Sequence, residues 1–177
     1  MESLEGDVEV YREADRPRAR RGLGADTLKM PIRSLMRTSP GIVKPTDVVQ
    51  EAIEKMVVGH YGCVLVGQAG RLEGILSERD VVTRLAWKGL DPKREFVIDH
   101  MTPDPETLGP DDALGYALNI MAVGGFRHVP ITTRGQRIVG ILSIRDLQRL
   151  FMMHFRQEIL TLPPLPPREG PAERYGG

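Results

Sequence analysis

The feature that most limits how this chain can fold is an internal repeat. GILSERD at residues 74–80 returns as GILSIRD at residues 140–146, with six of seven letters unchanged. The match continues back through both copies. Met36 stands 65 residues before Met101 (101 − 36 = 65), and Pro45, Ala52, Met56 and Gly59 stand as far before Pro110, Ala117, Met121 and Gly124. After one inserted residue the spacing is 66, which aligns Gly74, Ser77 and Asp80 with Gly140, Ser143 and Asp146. This period is longer than the roughly 20–50 residues of solenoid arrays, so it implies two copies of a complete supersecondary unit.

Each copy carries the same order of signals. A short extended piece ends in proline, GIVKP (41–45) or ETLGP (106–110). An apolar stripe of helical period follows: Val48, Val49, Ala52, Ile53, Met56 and Val57 in one copy, Ala113, Leu114, Ala117, Leu118, Met121 and Ala122 in the other. Thr46 and Asp111 occupy the places of helix N-caps, and Gly59 and Gly124 close the helices. Two strands joined by a turn come next, CVLV-GQAG-RLEGIL and HVPI-TTRGQ-RIVGIL, and a second helix opens at Ser77 or Ser143. The unit is β-α-β-β-α, which makes the chain α/β in class, of the α+β type. A three-stranded sheet with helices on one face leaves apolar surface bare, so the two units should pack face to face. The expected division is a flexible charged arm over 1–30, one unit over 31–91, the second over 92–152, and a helix end with a proline-rich tail over 153–177. Residues 89–99 read as the linker.

Charge and composition narrow the function. Basic and acidic residues balance at 24 each, which argues against a nucleic-acid role, although Arg16, Arg18, Arg20 and Arg21 cluster in the arm. No apolar run is long enough to span a bilayer, and the N-terminus lacks the apolar core of a signal peptide, so a cytoplasmic protein is expected. Cys63 is the single cysteine and reads as a small buried hydrophobe. His60, His100, His128 and His154 show no metal-ligand spacing, so no metal is expected. The tail from Leu162 contains PPLPPR, a pattern that polyproline-binding domains accept. Trp87, Met152 and Met153 suit core or subunit contact better than a cofactor. No Walker sequence or dinucleotide fingerprint occurs, and nothing signals catalysis.

The repeated Ser-x-x-Asp supports two readings. In the plainer one it is a capping box, with Ser capping the helix and Asp reaching back to a free N–H. Capping alone, however, calls for neither the repeated Gly nor the repeated Arg. In the other reading the free N–H groups of the helix start suit a phosphate, and the Ser hydroxyl adds a hydrogen bond. The Asp accepts from ribose hydroxyls, and Arg79 or Arg145 reaches phosphate oxygens. Gly74 and Gly140 let a flat base approach the strand. This set suits a nucleoside phosphate.

On these residues the chain resembles a tandem pair of cystathionine-β-synthase (CBS) domains, a Bateman module, over about residues 31–152. The resemblance rests on the two β-α-β-β-α units, on the shared Pro…Ala…Met opening, and on the Gly-x-x-Ser-x-x-Asp close in both. It implies pseudo-twofold symmetry and two clefts between the units for an adenine nucleotide (AMP, ADP or ATP) or a relative such as S-adenosylmethionine or NAD. The second copy would supply Thr107, Leu108, His128, Val129, Pro130, Ser143, Arg145 and Asp146, with Arg127–His128 as a basic pair facing phosphate. The first would supply Ile42, Val43, Cys63, Val64, Leu65, Ser77, Arg79 and Asp80. Copy one has Gly62-Cys63 where copy two has Arg127-His128, so the second set is the expected primary site. The expected function is a regulatory sensor that acts on an unidentified partner protein. The rival is a scaffold whose clefts stay empty and which works through its tails and dimer surface. Leu150, Phe151, Phe155 and Ile159 form a stripe suited to packing on a second copy, so a homodimer is expected.

Overall fold

The computed structural model describes residues 24–134 and 136–161, with Gln157 and Glu158 described in backbone only. The arm before Gly24, with its arginine cluster, and the tail after Thr161 lie outside the described residues. In chain order the elements are a helical turn α1 (Ala25–Leu28), β1 (Ile42–Val43), α2 (Val49–Gly59), β2 (Cys63–Gln68), β3 (Arg71–Ser77) and α3 (Glu78–Asp80). They continue with α4 (Val97–His100), β4 (Thr102–Pro103), α5 (Leu114–Gly124), β5 (His128–Thr133), β6 (Arg137–Ser143), α6 (Ile144–His154) and α7 (Arg156–Leu160).

The two copies give matching hairpins. Cys63 lies opposite Ser77 in β2–β3, and His128 lies opposite Ser143 in β5–β6. Each hairpin shifts register near its turn, between Val66 and Gly67 or between Ile131 and Thr132. β1 runs parallel to β2, whereas in copy two the equivalent pairing is a single parallel bridge from Leu108 to Ile131. β3 and β6 meet at Arg71 and Arg137, which joins the hairpins into one sheet of order β1-β2-β3-β6-β5 with β4 on β3.

The apolar face left bare by each unit is covered by exchange. Arg37, in the opening of copy one, pairs with Ile141 of copy two; Thr102, in the opening of copy two, pairs with Ile75 of copy one. Pro31 bridges Ala113 and Phe96 bridges Val48 in the same way. Ile32, Leu35 and Met36 therefore pack in the core of Ala117, Met121, Val129 and Leu142. Val97 and Met101 pack in the core of Ala52, Met56, Val64 and Leu76. A third cluster, with Cys63, Leu65, Leu72 and Ile141 at its centre, draws on both copies. The α+β class and the packing of two units follow the expectation, and the exchange is what locks them together.

Several local expectations change. Thr46 and Asp111 do not cap the helices. Val48 and Ala113 stand at those ends, and Asp47 and Asp112 instead close turns by accepting from the N–H groups of Lys44 (2.8 Å) and Gly109 (2.6 Å). The first helical N–H groups reach carbonyls of the exchanged segments, Val49 to Glu95 (2.9 Å) and Leu114 to Met30 (2.8 Å). A tertiary contact thus satisfies donors that a side chain would otherwise serve. Met30 belongs to the expected flexible arm, and so does α1, which docks on α5. The closing helices also diverge: α6 runs eleven residues, whereas α3 passes into a π turn at Val81–Leu85 and a 3-10 turn at Ala86–Lys88. Trp87 stands 88% exposed there, so it is no core residue.

Candidate functional site

Both Ser-x-x-Asp motifs form full capping boxes. The Ser77 and Ser143 hydroxyls each accept from the N–H of their Asp at 3.3 Å. Oδ2 of Asp80 accepts from the Ser77 N–H and hydroxyl at 2.9 and 2.5 Å; Oδ2 of Asp146 does the same with Ser143 at 2.8 and 2.5 Å. The plainer reading is therefore correct for one oxygen of each carboxylate. The other oxygen separates the copies. Asp80 Oδ1 faces Arg84 at 3.2 Å with the side chain 14% exposed. Asp146 Oδ1 faces both Arg37 and Arg149 at 3.3 Å with the side chain 4% exposed.

Two clefts between the units hold these motifs. The larger, about 400 Å³, brings Ser77, Arg79 and Asp80 of copy one against Arg127, His128 and Pro130 of copy two. Ile75, Ile120 and Phe126 give it apolar wall, and Asp104, Pro105 and Glu106 form part of its rim. The smaller, about 70 Å³, sets Ser143 and Arg145 against Arg37, Gly41, Tyr61, Cys63 and Glu78, with Arg127 and His128 again on its wall. Each closing motif thus faces the other copy. The clefts lie between the units, each mixing residues of both copies where each copy was expected to supply its own set. The roomier one holds Ser77, Arg79 and Asp80, while Asp146 lines neither.

The remaining candidates fall elsewhere. Val64, Leu65 and Val129 are fully buried core, and Val43 is 1% exposed. Leu108 packs on the second core and its N–H donates to the Pro130 carbonyl at 3.2 Å. Thr107 and Ile42 line neither cleft, and the Ile42 carbonyl accepts from Lys55 Nζ at 2.5 Å. Gly74 and Gly140 serve the exchange rather than a base: a Cβ on Gly140 would lie 2.6 Å from the Arg37 carbonyl oxygen, and one on Gly74 2.9 Å from that of Thr102. Sequence reasoning missed Arg37, Arg84, Pro105 and Phe126. Pro105 was findable, because it stands 65 residues after Pro40 on the repeat (105 − 40 = 65).

Electrostatics define what the clefts can do. Burial, with the neighbouring Arg127 acting in the same direction, pushes the His128 imidazole down to about 4, so His128 is neutral near pH 7. Burial first, and then the charges of Glu78 and Asp80, push the Cys63 thiol up to about 12. A thiol held protonated is a poor nucleophile and a poor metal ligand. Among the described residues no group of three or more His, Cys, Asp or Glu gathers where a metal ion would sit. None of their helices is long and apolar enough to cross a membrane. The larger cleft presents hydroxyl, carboxylate, guanidinium and neutral imidazole around apolar wall, a set built for hydrogen-bonding a polar molecule with a flat apolar part.

Comparison with known proteins agrees with this architecture. The family model for the CBS domain matches twice, over residues 32–86 and 96–152. A 17.7 kDa protein of Acidianus ambivalens is 33% identical over 122 residues, covering 68% of this chain and 73% of that one. The meiotically up-regulated gene 70 protein of Schizosaccharomyces pombe is 36% identical over 118 residues, but the match spans only 16% of its length. A conserved protein of Pyrococcus horikoshii is 30% identical in sequence, with a TM-score of 0.65 over 70% of this chain and 93% of its own. The CBS domain pair of protein MJ0100, solved in complex with 5′-methylthioadenosine and S-adenosyl-L-methionine, shares the fold at a TM-score of 0.63 and 20% identity, over 69% of this chain and 99% of its own. Two matched domains, two duplicated hairpins and two crossed clefts lead to one conclusion: this chain belongs to the CBS domain family, as a tandem pair.

Proposed function

We propose that the chain is a regulatory sensor without catalysis of its own, which takes an adenine nucleotide or adenosyl relative in its larger cleft. One observation carries the reading: a cleft of about 400 Å³ in which the Ser77-x-x-Asp80 motif of one copy faces Arg127, His128 and Pro130 of the other. That volume falls within the roughly 300–1,000 Å³ of small-molecule sites. Asp80 Oδ1 is the ribose acceptor, in place of its contact with Arg84. Arg79, Arg127 and His128 are the phosphate side, and Ile75, Ile120, Phe126 and Pro130 are the base side. The adenosyl ligands of the MJ0100 pair support this class of ligand. A ligand touching both copies favours one relative arrangement of the units, and a cytoplasmic partner protein reads that arrangement.

A thermal-shift screen across AMP, ADP, ATP, NAD and S-adenosylmethionine, followed by calorimetry, tests the reading. Asp80→Ala should weaken the best ligand by ~10–100-fold, the loss of a charged hydrogen bond of about 1.5–3 kcal/mol. Asp146→Ala should leave affinity within a few-fold. Unchanged affinity in Asp80→Ala would remove this placement.

The exposed side chains of Phe151, Met152 and Met153 on α6 favour a second role, contact with another copy. A light-scattering mass of a single chain would exclude that homodimer. The scaffold alternative keeps this surface and leaves the clefts empty, so no adenine ligand would shift its melting temperature.

A further inference from the structure

The two clefts are pseudo-symmetric in backbone but not in side chain. Position 37 on the repeat corresponds to position 102 (102 − 37 = 65), and both lie on exchanged segments pinned by backbone pairing. The Arg37 N–H donates to the Ile141 carbonyl at 2.8 Å and its own carbonyl accepts from the Ile141 N–H at 3.0 Å; Thr102 lies opposite Ile75. The backbone therefore fixes where each side chain starts, just beside a Ser-x-x-Asp motif. Thr102 stops short, its hydroxyl accepting from Arg84 at 3.0 Å. Arg37 reaches in until Nε lies 3.3 Å from Asp146 Oδ1. That oxygen is the one left over by the capping box, and it is the one a sugar would need.

A second difference points the same way. Lys55 corresponds to Ile120 (120 − 55 = 65). Ile120 lines the larger cleft, whereas Lys55 lines neither cleft and its ammonium donates to the Ile42 carbonyl at 2.5 Å. The volumes follow, about 70 Å³ on the Arg37 side against about 400 Å³ on the Thr102 side. Asp80 also meets an arginine, and Arg84 lines the larger cleft. Its other nitrogen, however, is held by the carbonyls of His100 and Met101, each at 2.8 Å, and the cleft beside it keeps its volume of about 400 Å³.

We infer that Arg37 closes the smaller cleft, so that each chain takes one adenine ligand rather than two. The inference rests on the function proposed above and adds to it a residue that sets stoichiometry. Calorimetry with AMP tests it on the full chain. Wild type should bind one AMP per chain. Arg37→Thr should bind two. Arg37→Thr removes a partner from the buried Asp146, so the reciprocal Thr102→Arg guards against misfolding of the first variant. It should abolish binding while circular dichroism stays that of wild type. Two equal AMP sites in wild type would overturn this inference and leave the sensor reading intact. So would a folded Arg37→Thr that still binds one AMP, or a folded Thr102→Arg that binds as wild type does. Failure of AMP and the other adenine ligands to bind wild type or any variant would overturn the sensor reading, and this inference with it.

Discussion

Asp80 and Asp146 hold equal places in the repeat, yet their surroundings give them different work. The capping box uses one oxygen of each, and the neighbours of the other oxygen decide what remains available. For Asp146 that oxygen sits between two guanidinium groups at 4% exposure, an arrangement suited to holding the fold. Removing both arginines would leave Asp146 an uncompensated buried charge, which typically costs about 3–5 kcal/mol, whereas losing one leaves the other in place. His128 shows the same dependence on setting. Its folded pKa of about 4 lies below the ordinary 6.5, so the unfolded chain binds a proton that the folded chain refuses. Stability is therefore full above about pH 6.5 and is lost as pH falls toward about 4, by ~3 kcal/mol at most. Urea unfolding at about pH 7 and pH 5 should show this loss in wild type and a smaller one in His128→Gln. Equal losses in the two proteins would assign the effect to other groups.

At the scale of the element, the repeated Gly-x-x-Ser-x-x-Asp does two jobs that sequence alone ran together. Its serine and aspartate start a helix, as the spacing indicated. Its glycine admits the exchanged strand, a contact between residues 103 apart in the case of Gly140 and Arg37 (140 − 37 = 103). No local pattern announces a partner that distant. Gly140→Ala would bring its Cβ to 2.6 Å from the Arg37 carbonyl oxygen. At Gly74 the backbone oxygen of Thr102 stands farther, at 2.9 Å, and the closest atom is the yielding sulfur of Met101 at 2.5 Å. Gly140→Ala should therefore destabilise by about 1–3 kcal/mol in chemical denaturation and Gly74→Ala by less, since backbone gives way less readily than a flexible side chain. The missed helix caps have the same origin. Thr46 and Asp111 looked like caps because capping is usually local, and here the exchanged backbone of Glu95 and Met30 supplies the acceptors.

At the scale of the molecule, duplication is what made the fold legible. Two copies of one pattern, each leaving a sheet face bare, fixed the class and the face-to-face packing before any coordinate was known. They did not fix which copy's opening segment would lie against which motif. Exchange of residues 31–37 and 96–103 crosses the clefts, so that His128, paired with Ser143 along its hairpin, also shares a cleft with Ser77, as does Pro130. The residues of the larger cleft legible in sequence were the repeated polar ones, Ser77, Arg79 and Asp80, with the unmatched pair Arg127–His128. Apolar candidates such as Val64 and Val129 were misplaced because alternation along a strand decides which face they take, and both sides of these strands are covered. The account turns on the larger cleft holding the ligand. A crystal structure of the chain grown with AMP measures this most directly. It should show the ribose on Asp80 and the phosphate near Arg127 and His128, with Arg37 still on Asp146. Nucleotide seated on Asp146 with the Ser77 cleft empty, or no nucleotide in either cleft, would contradict it.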